Sequence, residues 1–128
     1  MQTVKSNKIL YCDVDGTLLM YNGNDGSFSA IDKQSIAIKC PFTENRDDHA
    51  VAKYYYLRPN HNTIQYLKDY KAMGYTIVVW SAASWVWAEA AVKALKLEDI
   101  VDYVMSKPDV VIDDLEPNEW IREQIWPR

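Results

Sequence analysis

The run ILYCDVDGTLL, residues 9–19, passes from β-leaning apolar residues to acid, glycine and threonine within one short stretch. Its first half reads as a buried strand, and Gly16 as the turn that ends it. Asp13 and Asp15 stand two residues apart, so in an extended chain they face the same way. Gly16 lets the backbone turn sharply away and leaves room in front of both carboxylates. Taken alone, the pattern fits two acids capping a turn as well as it fits a reactive site.

Outward from this run the same kind of segment recurs. Residues 75–80 (YTIVVW) are a second apolar strand, ending at Ser81. Residues 101–105 read as a third, followed by Lys107, and residues 110–112 as a fourth, ending in Asp113 and Asp114. Helical patterns separate them. Over residues 60–73 the apolar positions are Ile64, Leu67, Tyr70 and Met73, with Gly74 as terminator. Residues 84–96 are alanine-rich, and Pro117 opens a last helix running to about residue 125. Apolar strands without alternation, spaced by helices, predict a parallel sheet covered on both faces, a three-layer Rossmann-like α/β fold. Residues 35–40 and 51–57 look strand-like and flank the polar stretch 41–50, which predicts a hairpin with a long tip. The expected organisation is one domain over residues 1–128, with residues 18–58 as a small β-hairpin flap insertion.

Composition narrows the class. At 128 residues, 48% hydrophobic and 25% charged, the chain can bury one core and is neither disordered nor fibrous. A net charge of -4 gives no reason to expect general nucleic-acid binding. No stretch approaches the ~18 apolar residues of a membrane span, and the N-terminus has no signal-peptide core. Cys12 and Cys40 do not make a disulfide framework, so a reducing, cytoplasmic setting is expected.

Ligands of open α/β sheets bind outside the carboxyl ends of the strands, and the polar residues gather at those ends. Asp13, Asp15, Asp113 and Asp114 would put up to four carboxylates at one rim. Uncompensated they would raise each other's pKa, and a hard divalent cation such as Mg²⁺ relieves this. One of Asp13 and Asp15 can attack while the other handles a proton. Ser81 can donate to a phosphoryl oxygen, and Lys107 can neutralise charge on the nucleophile and the phosphoryl group. These are the parts that phosphoryl transfer needs.

At this point the residues resemble the haloacid dehalogenase superfamily. Residues 13–19 (DVDGTLL) resemble its first motif, the strand ending in Ser81 its second, Ser106-Lys107-Pro108 its third and Ile112-Asp113-Asp114 its fourth. The resemblance covers residues 8–19 and 57–116. It implies Asp13 as a nucleophile that becomes phosphorylated. It implies Asp15 as the acid that protonates the leaving oxygen and then activates water. It implies Mg²⁺ held by Asp13, the Asp15 backbone carbonyl and Asp113, with Asp114 acting from behind or through water. Ser81 and Lys107 would bind the phosphoryl group. An acid at position 15, where ion-transporting relatives carry Thr, points to a phosphatase. Two departures stand out. Lys107 lies six residues before Asp113, which leaves no room for the helix many relatives place there, and the insertion at residues 18–58 is too small for a large cap domain.

The resulting expectation is a Mg²⁺-dependent phosphomonoester hydrolase. Its substrate is expected to be a nucleotide or the phosphorylated end of a nucleic acid, with a sugar phosphate or a phosphoprotein as the alternatives. A receiver-like signalling module also gathers acids, a hydroxyl and a lysine around Mg²⁺, but the Asp-x-Asp-Gly-Thr run and the long insertion after the first strand argue against it, and intact Asp13 and Asp15 argue against a non-catalytic binding protein of the same fold. Other polar and aromatic residues read more plainly. Trp80, Trp85 and Trp87 are expected mostly as core or contact residues, with Trp85 near the rim. Tyr54, Tyr55 and Tyr56 are expected in the sheet, His49 and His61 on the surface, and Asp47 and Asp48 at a solvated loop tip. Arg58, at the entrance to the first helix, is placed to meet phosphate.

Overall fold

Strand β1 (Ile9–Asp13) forms beside β5 (Thr76–Ser81) because both are apolar runs with no helical period. They pair in parallel, with Asp13 opposite Trp80. β6 (Tyr103–Ser106) pairs in parallel with the other edge of β5 and sets Ser81 opposite Ser106. The sheet order is therefore β1-β5-β6, and all three strands end at the same rim. These relations come from a computed structural model, which describes residues 1–23, 26–42 and 53–128.

A second, antiparallel sheet of order β2-β4-β3 is built from β2 (Leu19–Met20), β3 (Ile36–Lys39) and β4 (Tyr54–Pro59). The β3–β4 pairing is the antiparallel one expected of the two strand-like runs, with Ile36 opposite Leu57. The two-residue β2 has no sequence signal of its own. It exists because the turn after β1 brings Leu19 opposite Pro59. The tip residues Asp47, Asp48 and His49 lie outside the described residues.

Helix α1 (His61–Ala72) starts at Asn60, whose Oδ1 accepts from the backbone N–H groups of Asn62 and Thr63 at 3.2 and 3.3 Å. It stops where expected, at Gly74, whose φ of +90° suits the left-handed exit. His61 is exposed, as read from the sequence. Helix α2 (Trp85–Ala94) packs against β5, β6 and β3. The core joins Cys12 and Val14 of the β1 region, Ile77 and Val79 of β5, Leu57 of β4 and Trp87, Ala88 and Ala91 of α2. Burying this set is the main favourable term holding the site's scaffold together.

The C-terminal part differs from expectation. Residues 110–112 do not form a strand. Val110, Val111 and Ile112 are 81%, 56% and 99% exposed. β-branched residues favour extended backbone, but a strand exists only where a partner supplies hydrogen bonds. β1's strand partner among the described residues is β5. The last helix is also shorter than expected. α3 spans only Pro117–Trp120, and none of its residues is buried. Glu119 accepts from the Glu116 N–H at 2.7 Å and caps the turn, yet no apolar face is covered to extend it. No helix among the described residues is long and apolar enough to cross a membrane.

Candidate active site

The rim begins where β1 becomes a tight turn. Val14's carbonyl accepts from the N–H groups of Thr17, Leu18 and Leu19 at 3.2, 2.9 and 3.0 Å. Gly16 supplies the φ of +74° that this loop needs. Leu18 and Leu19 are driven fully into the core, which anchors the turn from behind. Asp13 and Asp15 are therefore presented on a short, fixed loop.

Both oxygens of Asp13 have partners. Lys107 Nζ lies 3.1 Å from Oδ1, and the Thr17 hydroxyl donates to Oδ2 at 3.2 Å. Lys107 is held there by its backbone, whose N–H donates to the Ser81 carbonyl at 2.9 Å. The β5–β6 pairing thus delivers the ammonium without a connecting helix. The pair is about one-third exposed on each side, so its contribution to stability is small, and its effect is mainly to fix geometry and charge. The Lys107 ammonium also stands 6.0 Å above the Trp80 ring.

Asp15 is oriented by two donors on one oxygen. The Tyr21 hydroxyl donates to Oδ1 at 2.6 Å, and the Trp87 indole N–H donates to the same atom at 2.8 Å. Tyr21's pKa is pushed well above the ordinary phenol value, first by burial and then by the Asp15 carboxylate it bonds to. It therefore stays a phenol and a donor. Oδ2 of Asp15 carries neither of these two bonds.

Ser81 is buried at the end of β5, and its Oγ accepts from the Ala83 N–H at 3.0 Å. It is not the cap of α2. Ser84 fills that place, accepting from the Val86 N–H at 3.2 Å, and Ser106 Oγ accepts from the Trp85 N–H at 2.8 Å. Two hydroxyls from adjacent strand ends thus order the loop between β5 and α2. Cys12 lies beneath this rim. Burial, then the neighbouring Asp13 charge, pushes its thiol up to about 12, against a weaker opposing pull from Lys107. It remains a thiol at neutral pH and is not a nucleophile.

The structure does not bring every expected residue to this place. Asp113 and Asp114 are exposed on the C-terminal segment, where Asp113 Oδ1 accepts from the Leu115 N–H at 3.0 Å. Among the described residues no three Asp, Glu, His or Cys side chains stand together to hold a metal ion by protein ligands alone. Mg²⁺ commonly takes one or two carboxylates beside substrate phosphate and water, so Asp13 with Asp15 suits it, and Asp113 or Asp114 would add to that set only by joining the rim. Arg58 does not face the rim as a free guanidinium. Its Nη2 is 2.6 Å from Asp32 Oδ2, and its charge sits 4.1 Å from the Phe28 ring centre. Trp85 is exposed near the rim, as expected.

Three contributors carried no signal strong enough to find in sequence. Thr17 lies in the first motif, but its reach back to Asp13 follows from the turn. Tyr21 sits among turn residues. Trp87 reads as a core residue and is one, but a buried indole N–H usually finds an acceptor. That rule was the available clue.

Beside Asp15 a cleft of about 480 Å³ opens, walled by Met20, Tyr21, Phe42, Tyr55 and Trp87. The Tyr55 and Trp87 rings meet edge to face, with centres 5.6 Å apart.

A lysine, two acids and hydroxyls at the carboxyl end of a parallel sheet define a site suited to phosphoryl chemistry. The sequence matches the family NIF, NLI interacting factor-like phosphatase, over residues 8–123. The chain belongs to this family, a phosphatase family of the haloacid dehalogenase superfamily whose members generally use Mg²⁺, and it is a phosphatase. No curated protein and no solved structure matches it.

Proposed function

We propose that the chain hydrolyses a phosphomonoester through an aspartyl-phosphate on Asp13. The observation that carries this reading is the arrangement of the two acids. Asp13 lies 3.1 Å from the Lys107 ammonium, while Asp15 is turned by Tyr21 and Trp87 so that Oδ2 is left for proton transfer.

In the first step an Asp13 carboxylate oxygen forms a bond to phosphorus as the bond to the ester oxygen breaks. Asp15, protonated on Oδ2, gives that proton to the departing oxygen. In the second step a water oxygen attacks the same phosphorus, Asp15 takes the water's proton, and the Asp13–phosphorus bond breaks to release phosphate. Lys107 offsets negative charge on Asp13 and on the phosphoryl oxygens through both steps. Ser81 contributes through its hydroxyl and by holding the loop after β5. Thr17 holds Asp13 in one rotamer.

A Mg²⁺ requirement is part of the proposal on the strength of sequence and family. Asp13 and Asp15 would hold the ion together with substrate phosphate and water, and Asp113 or Asp114 would join them where the C-terminal segment reaches the rim. The finer fold proposal is a single three-layer, Rossmann-like domain with residues 18–58 as a flap beside the site. A nucleotide or nucleic-acid end is the proposed substrate, supported by the aromatic cleft, with a sugar phosphate or a phosphoprotein as the alternatives. Membership of a phosphatase family disfavours the receiver-like reading. The cysteines, neither in a disulfide, are compatible with a proposed cytoplasmic setting.

The test is turnover of a panel of phosphomonoesters by wild-type and Asp13→Asn proteins, with added Mg²⁺ and with chelator. Turnover by wild type alone, abolished by the chelator, supports the proposal. Equal release of phosphate by both proteins would remove it.

A further inference from the structure

The cleft beside Asp15 has no task in the steps above, yet it opens from the residue that protonates the leaving group. Four of its described lining residues carry rings: Tyr21, Phe42, Tyr55 and Trp87. Two of them are fixed in advance, because Tyr21 and Trp87 are both hydrogen-bonded to Asp15. A group entering between preset rings pays little ordering entropy. Phe42, at 50% exposure, gains most from being covered. The volume, about 480 Å³, lies within the range of about 300–1,000 Å³ typical of small-molecule sites.

Charge narrows the occupant. Among the described residues that line the cleft, Asp15 is the one Asp, Glu, Lys or Arg. A second phosphate or a carboxylate on the leaving group would be desolvated against ring faces with no Lys or Arg among the described lining residues to pair with it. A neutral ring meets no such penalty and can stack offset or edge-on against the walls.

We propose that this cleft seats the leaving group and selects phosphomonoesters whose leaving group carries a flat, uncharged aromatic ring. The inference rests on the hydrolytic reading of Asp13 and Asp15. It narrows that reading to one substrate class: nucleoside monophosphates fit, whereas phosphorylated nucleic-acid ends, sugar phosphates and bisphosphates do not.

The experiment compares 2-phenylethyl phosphate with ethyl phosphate, whose leaving alkoxides have similar basicity and differ by the ring. Adenosine 5′-monophosphate and adenosine 3′,5′-bisphosphate form the second pair. The expected kcat/KM is about tenfold or more higher for 2-phenylethyl phosphate, carried mainly in KM, as burial of part of one ring would give. The bisphosphate should fall below the monophosphate. Phe42→Ala should narrow the ring preference to about threefold or less, with Phe42→Leu in between, since it keeps apolar bulk without a ring face. Calorimetric binding of 2-phenylethyl phosphate and ethyl phosphate to the Asp13→Asn protein reads the cleft without turnover. If that protein prefers the ring but wild type hydrolyses nothing, the cleft assignment stands and the hydrolytic reading fails. Equal kcat/KM and equal binding for the ring-bearing and ringless esters, or a ring preference untouched in Phe42→Ala, would overturn the inference.

Discussion

The rim of the parallel sheet and the segment that follows it treat their acids in opposite ways. At the rim, Asp13 and Asp15 sit on a loop pinned by buried leucines, and each has named partners on other elements. In the C-terminal segment, Asp113 and Asp114 are exposed, and the bond recorded for Asp113 runs to a backbone N–H two residues on. Both places pair apolar strand-like residues with acids, so local sequence does not separate them. What separates them is pairing. β1 has β5 beside it and the core beneath it, whereas residues 110–112 leave their apolar side chains in water. An acid becomes part of a site when packing fixes the backbone that carries it.

Substitutions can break or sharpen this contrast. The largest effect is expected at Asp13. Asp13→Asn should lower kcat by at least about a thousandfold, since removing the nucleophile of a covalent route leaves only residual rates. Steady-state turnover with an unchanged melting temperature would check it. Lys107→Ala comes next, with a loss of about a hundredfold in kcat/KM and partial recovery in Lys107→Arg, as expected of a charge that stabilises the phosphoryl group. Tyr21→Phe should cost about tenfold in kcat by freeing Asp15 from one of its two donors. Because the ring stays, substrate KM should move little, and a large KM change would argue for a steric role instead.

Asp113→Asn tests the other side of the comparison. Its exposure predicts a stability change within about 0.5 kcal/mol by chemical denaturation. If Asp113 joins the rim in the working enzyme, the variant should need about tenfold more Mg²⁺ for half-maximal rate. An unchanged Mg²⁺ requirement would leave the segment apart from the site. The smallest effect is expected away from both regions. Asp32 is held below the ordinary carboxylate value, first by its hydrogen bond from Arg58 and then by the Gln34 N–H. A lowered folded pKa adds stability that is complete above the unfolded value of 3.8 and is lost as pH falls below it. Asp32→Asn should therefore flatten the acid limb of the stability curve below that pH and leave neutral-pH activity alone.

Much of the rim was legible because it is written at strand ends. Asp13, Ser81 and Lys107 each follow an apolar run, and parallel pairing then aligns those ends. The orientation of Asp15 was not legible. Trp87 lies 72 residues further along the chain, and only packing of α2 beneath the turn brings its indole to the carboxylate. Residues 110–112 show the reverse failure. Their composition favours a strand, but propensity cannot supply the neighbour that a strand requires. Arg58 failed for a similar reason, because Asp32, 26 residues away in sequence, takes its charge.

The most direct test traps the covalent intermediate. Wild-type protein is mixed with a phosphomonoester, quenched in acid within the first turnover and reduced with borohydride, which converts an acyl-phosphorylated aspartate to homoserine. Peptide mass spectrometry should then find homoserine at position 13 and no such product in Asp13→Asn. Full turnover without modification at position 13, or with the phosphate carried by another residue, would contradict the account.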